Sequence, residues 1–181
     1  MGFFSKIILA TTAVASLVAA NSVTFVNQDA TTRTIVFTAS EGYPAIPSLK
    51  LSGSGTQVQQ FPEGWTGNWY SVSDGAANVP GMLGEVAFNA WNGINFFDVS
   101  AIVNPDDHNG VKEIFPKNSN TPLSGCQDFP CPNAYNLPDD IATLSTTDPD
   151  LVCLVGNLSG KRKRTATPTF PRQFVDGRVR A

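Results

Sequence analysis

Glu85 and Asp98 are the two residues whose types and spacing point most directly to chemistry. They lie in two alternating runs joined by Asn92-Gly93, a dipeptide that favours a type I′ hairpin turn because both residues tolerate a positive φ. Side chains alternate between the faces of a sheet, so this turn places both carboxylates on one face. Such a pair can serve glycoside hydrolysis, one carboxyl as acid and the other as base or charge stabiliser, or it can bind the hydroxyl groups of a sugar.

The hairpin turn also predicts a register for the two runs. In this register the two acids are diagonal neighbours, roughly 7–8 Å apart at the backbone. The expected pairs are Trp91 with Ile94, Ala87 with Asp98, and Glu85 with Ser100. The opposite face is apolar enough to lie against a core, and its side chains are Val86, Phe88, Ala90, Phe97 and Val99.

Further strands must position this hairpin. Alternating runs rich in β-branched and aromatic residues are separated by turn signals every 8–12 residues or so, with little helical periodicity. This pattern predicts an all-β fold, an antiparallel β-sandwich or barrel. The expected strands are residues 22–27, 33–38, 48–52, 56–61, 64–73 and 151–155.

After Val103 the composition changes to that of loops. Residues 104–110 are turn-forming, residues 113–122 read as a loop, and residues 126–140 are dense in proline and acid. Loops of this length are usually functional or disordered. We therefore predict a long loop excursion that contributes acidic side chains to the face carrying Glu85 and Asp98.

The chain begins as a secretory precursor. A weakly positive start, an apolar run and the small-residue stretch Val18-Ala19-Ala20 indicate a signal peptide over residues 1–20, with a retained signal anchor as the alternative. We expect a single folded domain over residues 21–158, a basic, disordered tail over residues 159–181, and a secreted monomer with no membrane attachment after cleavage.

Charge separates the predicted domain from the tail. Residues 21–160 contain four basic and fourteen acidic residues, a balance of −10, whereas residues 161–181 have a balance of +6. The acidic body argues against nucleic acid as a partner, because phosphates bind cations. The run Lys161–Arg164 has three interpretations: a solvated tail, a dibasic cleavage site, or a polyanion-binding or nuclear signal.

Three cysteines leave one unpaired. In an oxidising compartment the preferred pair is Cys126 with Cys131, while Cys153 lies in an apolar run and is expected to be a buried thiol. His108 follows Asp106 in a turn, where such residues usually serve local backbone bonding rather than a metal ion. We expect no metal or other cofactor, and Asn157 opens the glycosylation sequon.

Two stretches resemble signatures of thaumatin-like proteins. GEVAFNAWNGINFFDVSAIV, residues 84–103, is similar to a strand pair ending in an F-Y-D-V-S type signature, and CPNAYNLPDD, residues 131–140, is similar to C-P-x-A-Y-S-Y-x-x-D-D. The spacing of Cys126 and Cys131 also resembles a small disulfide of that family. The chain most resembles small secreted fungal proteins related to the Blastomyces yeast-phase-specific protein, some of which are labelled DNases. A nuclease site of that kind needs paired histidine and carboxylate groups or a metal cluster, and a single histidine in a turn does not provide either.

The resemblance implies a thaumatin-like β-sandwich with an acidic cleft. Two departures are evident: the family's many disulfides are reduced to at most one, and the cleft arginine expected near residues 68–72 is missing. We therefore expect binding of a polysaccharide such as a β-glucan or another cell-wall component, with a weak glucan hydrolase or a secreted effector or surface antigen that contacts a host protein as alternatives. The residues implied for the cleft are Glu85, Asp98, Asp106, Asp139, Asp140, Trp91 and Tyr135.

The other aromatic residues extend the possible sugar surface. Together with Trp91 and Tyr135, the rings of Trp65, Trp69 and Tyr70 could form a sugar-stacking surface beside the acidic groove, with core or rim packing as the alternative for the tryptophans.

Overall fold

The computed structural model describes residues 19–158. Most of the expected signal peptide and all of the basic tail lie outside these residues. The described part is all-β, with eleven strands in two sheets. The strands are β1 Ala19–Asn27, β2 Arg33–Ala39, β3 Leu49–Leu51, β4 Thr56–Pro62, β5 Thr66–Ser73, β6 Leu83–Trp91, β7 Ile94–Ser100, β8 Val111–Pro116, β9 Ser124–Gly125, β10 Leu144–Thr146 and β11 Asp150–Val155.

One sheet has five strands in the order β4-β1-β11-β8-β9, and the other has six in the order β10-β7-β6-β5-β2-β3. Neighbouring strands are antiparallel except β1 and β11, which pair in parallel. The purely antiparallel sandwich expected from the sequence is therefore corrected at this one pair. The chain reaches β11 only after crossing the other sheet, so the two strands can enter their sheet in the same direction.

The apolar core lies between the inner faces of the two sheets. Phe25 of the five-stranded sheet meets the Trp69 ring of the six-stranded sheet edge to face, with centroids 5.4 Å apart. Phe61 lies 4.9 Å from the Trp65 ring and 5.2 Å from the Phe88 ring. Such aromatic pairs add roughly 0.5–1.5 kcal/mol each beyond the burial of their area.

The six strands expected from the sequence are present, but the region after Val103 is more ordered than predicted. Residues 113–122 were expected to form a loop, yet Val111–Pro116 form β8, a central strand between β11 and β9. The charges of Lys112 and Glu113 hide the strand pattern, although both side chains are buried. Lys112 donates a hydrogen bond to the Gln127 carbonyl and lies 5.8 Å from the centre of the Phe129 ring, which compensates its burial.

The organising hairpin has the expected turn but a different register. Asn92 and Gly93 both have positive φ, and Trp91 pairs with Ile94 as predicted. Between Ala87 and Trp91 the ladder is interrupted by a bulge, where Asn89 has a φ of 47°. The expected pairs of Ala87 with Asp98 and Glu85 with Ser100 are therefore wrong.

Beyond the bulge, Glu85 pairs with Asp98 directly. The bulge shifts the register by two residues, so the side chains beyond it lie on their predicted faces. Both acids still point away from the core, as opposite rather than diagonal neighbours. Ala90, expected on the core face, is exposed within the bulged segment.

The cysteine assignments are confirmed. Cys126 and Cys131 form a disulfide, and Cys153 is a fully buried free thiol that accepts a hydrogen bond from the Trp69 indole nitrogen at 3.4 Å. The disulfide closes a short segment of the excursion that follows β9. Among residues 19–158, the structure contains no helix capable of crossing a membrane.

Candidate functional site: an acidic groove on the six-stranded sheet

A polar row crosses four strands on the outer face of the six-stranded sheet. Thr38 of β2 pairs with Asn68 of β5, Asn68 pairs with Glu85 of β6, and Glu85 pairs with Asp98 of β7. Side chains of directly opposed residues are about 4.5–5.5 Å apart at their β-carbons. Three strands thus present an amide and two carboxylates as a continuous line of hydrogen-bond acceptors.

Asn68, Glu85 and Asp98 of this row form the floor of a groove with a volume of about 410 Å³. Small-molecule sites commonly have volumes of about 300–1,000 Å³, so the groove is large enough for a ligand. One wall comes from the end of β2 and the other from the disulfide-tied excursion before β10. The lining combines polar residues with a few apolar ones, among them Ser40, Asn68, Glu85, Asp98, Tyr135, Thr143, Phe96, Ile102 and Pro138.

A chain of hydroxyl groups connects the excursion to the floor. Thr143 donates a hydrogen bond to Asp98 Oδ2 at 3.1 Å, and the Tyr135 hydroxyl lies 2.8 Å from the Thr143 hydroxyl. Because Thr143 gives its single hydrogen to Asp98, Tyr135 donates to Thr143. The backbone of Tyr135 is held by hydrogen bonds with Val99 and Ala101, so its ring is anchored to the edge of β7.

Asp98 is a buried carboxyl group with an unmet hydrogen-bonding need. The residue is only 8% exposed, and no N–H or O–H group in the described part of the chain donates a hydrogen bond to its buried Oδ1 atom. Burial, repulsion by the Glu85 carboxylate and a hydrogen bond between the two carboxyl groups raise the pKa of Asp98 to about 7, while the Thr143 hydrogen bond opposes the rise. Two carboxylates cannot donate to each other, so the bond between them exists only when one holds a proton.

The other acids implied by the family resemblance do not line the groove. Asp106 is exposed in its turn and receives no groove contact. Asp140 instead accepts hydrogen bonds from the backbone of Asn136 and Leu137, at 2.7 and 2.8 Å, which lower the pKa of Asp140. Asp139 is exposed beside it. The cleft thus contains two carboxylates rather than four or five.

The aromatic residues divide between core and surface. Trp65, Trp69 and Tyr70 are buried, so the packing interpretation holds for them. Trp91 is 67% exposed, as its place beside the hairpin turn suggests, but it does not line the groove. Of the aromatic residues expected in the cleft, Tyr135 is the one that lines the groove beside Glu85 and Asp98.

Two groove residues were not predicted from the sequence. Asn68 joins the row because β5 pairs with β6 in a register that places it opposite Glu85. Thr143 reaches Asp98 from 45 residues further along the chain. Alternation within residues 64–73 places Asn68 on the outer face once Trp69 is known to be buried, whereas no local pattern marks Thr143.

The turn around His108 is structural. Asp107 Oδ2 accepts a hydrogen bond from the Met82 backbone at 2.8 Å, and Oδ1 accepts one from Asn109 at 3.0 Å. Within residues 19–158, no group of three or more His, Cys, Asp or Glu side chains is arranged to hold a metal ion. The sequon residue Asn157 is exposed, and its side-chain amide donates to the Asn109 side chain.

The fold and the groove define a class: an all-β protein of two packed sheets with an acidic groove on one outer face. No family model matches the chain. The antigenic protein SchS21 of Stachybotrys chartarum is 50% identical over 135 residues, which cover 75% of this chain and 94% of that protein. The chain belongs to the family of this antigenic protein.

A solved structure shares the fold at lower sequence similarity. The protein elicitor MoHrip2 of Magnaporthe oryzae superimposes with a TM-score of 0.54 and 18% identity, covering 76% of this chain and 99% of that one. At this identity the likeness concerns the fold alone.

Proposed function

We propose that this chain is a secreted interaction protein of the antigen or effector type, and that it recognises an extracellular ligand in the acidic groove. The observation that carries the proposal is its 50% identity to the antigenic protein SchS21 over most of both chains. The secretory pattern of residues 1–20 agrees with an extracellular role. The protein elicitor MoHrip2 shares the fold.

The geometry of the carboxylate pair favours recognition over glycoside hydrolysis. Glu85 and Asp98 are directly opposed and close enough to share a hydrogen bond. Glycosidases place their two carboxyl groups about 5–5.5 Å apart when they retain configuration and about 6.5–9.5 Å apart when they invert it, because the sugar lies between them. Opposed carboxyl groups that interact closely enough to raise the pKa of Asp98 leave little space for a sugar between them.

Carbohydrate binding is the second candidate, and the groove itself favours it. Tyr135 offers a ring beside two carboxylates and the Asn68 amide, a combination able to contact a sugar. This interpretation agrees with the thaumatin-like resemblance, which implies a cell-wall polysaccharide as the ligand. The cleft arginine of that family is missing here, so one group that could anchor the ligand is absent. The groove has no Lys, Arg or His among its lining residues in the described part.

Two measurements test this proposal. Antibodies raised against SchS21 should bind the native full-length chain, and the heat-unfolded chain should bind less if the shared surface is conformational. Purified full-length protein should also release no sugar from laminarin. Absence of native cross-reaction would remove the antigen assignment, and laminarin hydrolysis that disappears in Glu85→Gln would show an enzyme instead.

A further inference from the structure

The last strand of the described fold ends shortly before the basic run of the sequence. β11 lies between β1 and β8, and Val155 at its end is fully buried in the core. Two residues later the chain is still fixed, because the Asn157 backbone donates a hydrogen bond to Asp29 at 2.8 Å. Leu158 is then 43% exposed. The chain therefore leaves the two sheets at their surface.

The run of four basic residues, Lys161–Arg164, begins just beyond this exit point, with only Ser159 and Gly160 between. A chain spans at most about 3.3–3.6 Å per residue, so Arg164 can lie up to roughly 23–25 Å from Asn157. This reach is enough for a protease to bind the run as an extended segment outside the folded domain, and chain ends of this kind are common sites of cleavage.

The run is also the one place where basic residues adjoin. Nowhere else in the sequence do two Lys or Arg residues stand next to each other. The four basic residues of the domain are each isolated, and Arg33 and Lys112 are buried. A protease that requires two neighbouring basic side chains therefore has a single cleavage region in this chain and leaves the domain intact.

The relatives have about the length of the folded domain. The match of 135 residues makes up 94% of SchS21, although it covers only 75% of this chain. The likeness to MoHrip2 covers 99% of that solved chain and 76% of this one. A domain of this kind thus accounts for nearly the whole of each relative, with little chain left over for a tail.

We propose that an endoprotease of the secretory pathway, specific for paired basic residues, cleaves this chain after Arg164 and removes residues 165–181. Water hydrolyses the peptide bond between Arg164 and Thr165, so that its hydroxyl group joins the Arg164 carbonyl carbon and its hydrogen joins the Thr165 nitrogen. The signal-peptide pattern of residues 1–20 directs the chain to the compartment of such proteases and disfavours the nuclear interpretation of the run.

This cleavage changes the charge of the protein. Residues 165–181 contain three basic residues and one acidic residue, so their removal takes the balance of the chain without its signal peptide from −4 to −6. The proposal concerns maturation and holds whichever ligand the groove binds.

The test measures where the secreted chain ends. The full-length chain is expressed in a secreting fungal host, and the protein from the medium is analysed by intact-mass spectrometry after enzymatic removal of N-linked glycans. We expect a chain that ends at Arg164, or as far back as Gly160 once carboxypeptidases have removed terminal basic residues. Arg162→Gln combined with Arg164→Gln leaves no adjacent basic pair and should reduce the cleaved fraction at least about tenfold. The matched control, Arg178→Gln combined with Arg180→Gln, removes the same charge from the tail and should leave cleavage unchanged.

Four results would overturn the proposal. A secreted wild-type chain that ends at Ala181 would show that the tail is retained. Equal cleavage of the Arg162→Gln, Arg164→Gln variant would show that the paired basic residues are not recognised. Unchanged cleavage in a host strain that lacks the paired-basic endoprotease would assign the cut to another enzyme, and a full-length chain that accumulates in the nucleus would make the run a nuclear signal. None of these results bears on ligand recognition in the groove.

Discussion

Thr143 donates its hydroxyl hydrogen to Asp98 Oδ2 at 3.1 Å, linking the excursion before β10 to the floor of the groove. The bond satisfies one oxygen of the carboxyl group, whereas the other, Oδ1, is buried and receives no hydrogen bond from a donor group. Through Tyr135, the same hydroxyl chain holds the groove wall in place. Site and fold are coupled here, because the group that makes the groove acidic also destabilises the folded chain.

Asp98→Asn should stabilise the protein at neutral pH. The pKa of Asp98 is raised to about 7 by burial and by Glu85, so the folded state disfavours its charge. Below about pH 4 the group is protonated in both states and costs nothing. As pH rises towards 7 the unfolded chain releases the proton first, and stability is lost. We expect the stability gap between variant and wild type to grow by roughly 2–4 kcal/mol from pH 4 to pH 8.

Urea unfolding at several pH values measures this gap. Asp139→Asn is the matched control, because it removes an exposed acid and should leave the pH dependence of wild type unchanged. A gap for Asp98→Asn that is the same at pH 4 and pH 8 would contradict the raised pKa.

Arg33→Lys should destabilise the fold by about 2–4 kcal/mol. Arg33 is 2% exposed, forms a two-pronged ion pair with Asp29 at 2.6 and 2.8 Å, and also donates to the Thr31 and Asn109 carbonyls. Burial raises the pKa of Asp29, but the hydrogen bonds from Arg33 and from the Asn157 and Thr31 backbone outweigh it and hold the pKa well below its usual range. A lysine cannot reproduce the planar fork, so buried acceptors lose their donors.

Thermal and urea unfolding check this prediction against Lys50→Arg, an exchange at an exposed position that should change little. Because the Asp29 pKa is depressed, its stabilising effect is present at neutral pH and is lost as pH falls through the acid range. Equal stability of Arg33→Lys and wild type would show that the planar guanidinium group of Arg33 contributes nothing to the stability of the fold.

Cys153 should be chemically inert in the folded chain. Its thiol is fully buried, and burial raises the pKa of Cys153 to about 12 despite the hydrogen bond from Trp69. The reactive species is the thiolate, so iodoacetamide at about pH 8 should leave the native thiol unmodified and label it rapidly in urea. Mass spectrometry reports the label. Comparable labelling rates in the native and unfolded chain would refute the buried position.

Gly84→Ala should cost about 1–3 kcal/mol of stability. A β-carbon at this position would lie 2.5 Å from the Trp69 indole ring, too close for two unbonded heavy atoms. Trp69 is enclosed by Phe25 and Phe61, so the ring has little room to move. Unfolding of Gly84→Ala, Trp69→Phe and the double variant forms a cycle, and the smaller ring should recover part of the alanine cost. Strictly additive losses would contradict the contact.

The sequence predicts the strands and the face on which the acids lie, because both follow from local alternation and from the Asn92-Gly93 turn. The register escapes prediction. At the bulge, the Asn89 backbone amide donates to the Asn95 side chain, and Asn95 in turn donates to the carbonyl of Asp148, 53 residues further along the chain. A pairing fixed by a side chain that contacts a distant loop leaves no local signal.

In the candidate site, too, local sequence patterns predict some residues and long-range contacts position the others. Glu85, Asp98 and Tyr135 could be assigned from motifs, but their companions depend on long-range contacts. Asp140 resembles a cleft acid in sequence, yet its carboxylate caps backbone amides of its own loop. Strand β8 was not predicted, because the charged residues Lys112 and Glu113 interrupt the apolar pattern of a buried strand, although the fold buries both.

The most direct test of the carboxylate pair is the titration of Asp98 followed by carbon NMR of its side-chain carboxyl group. The structure predicts a midpoint near the pKa of about 7, which should move towards the ordinary aspartate range in Glu85→Gln because the opposing charge is removed. A wild-type midpoint near 4 that Glu85→Gln leaves unchanged would show that the two acids do not face each other in a buried pair, and the proposed recognition site would be lost with them.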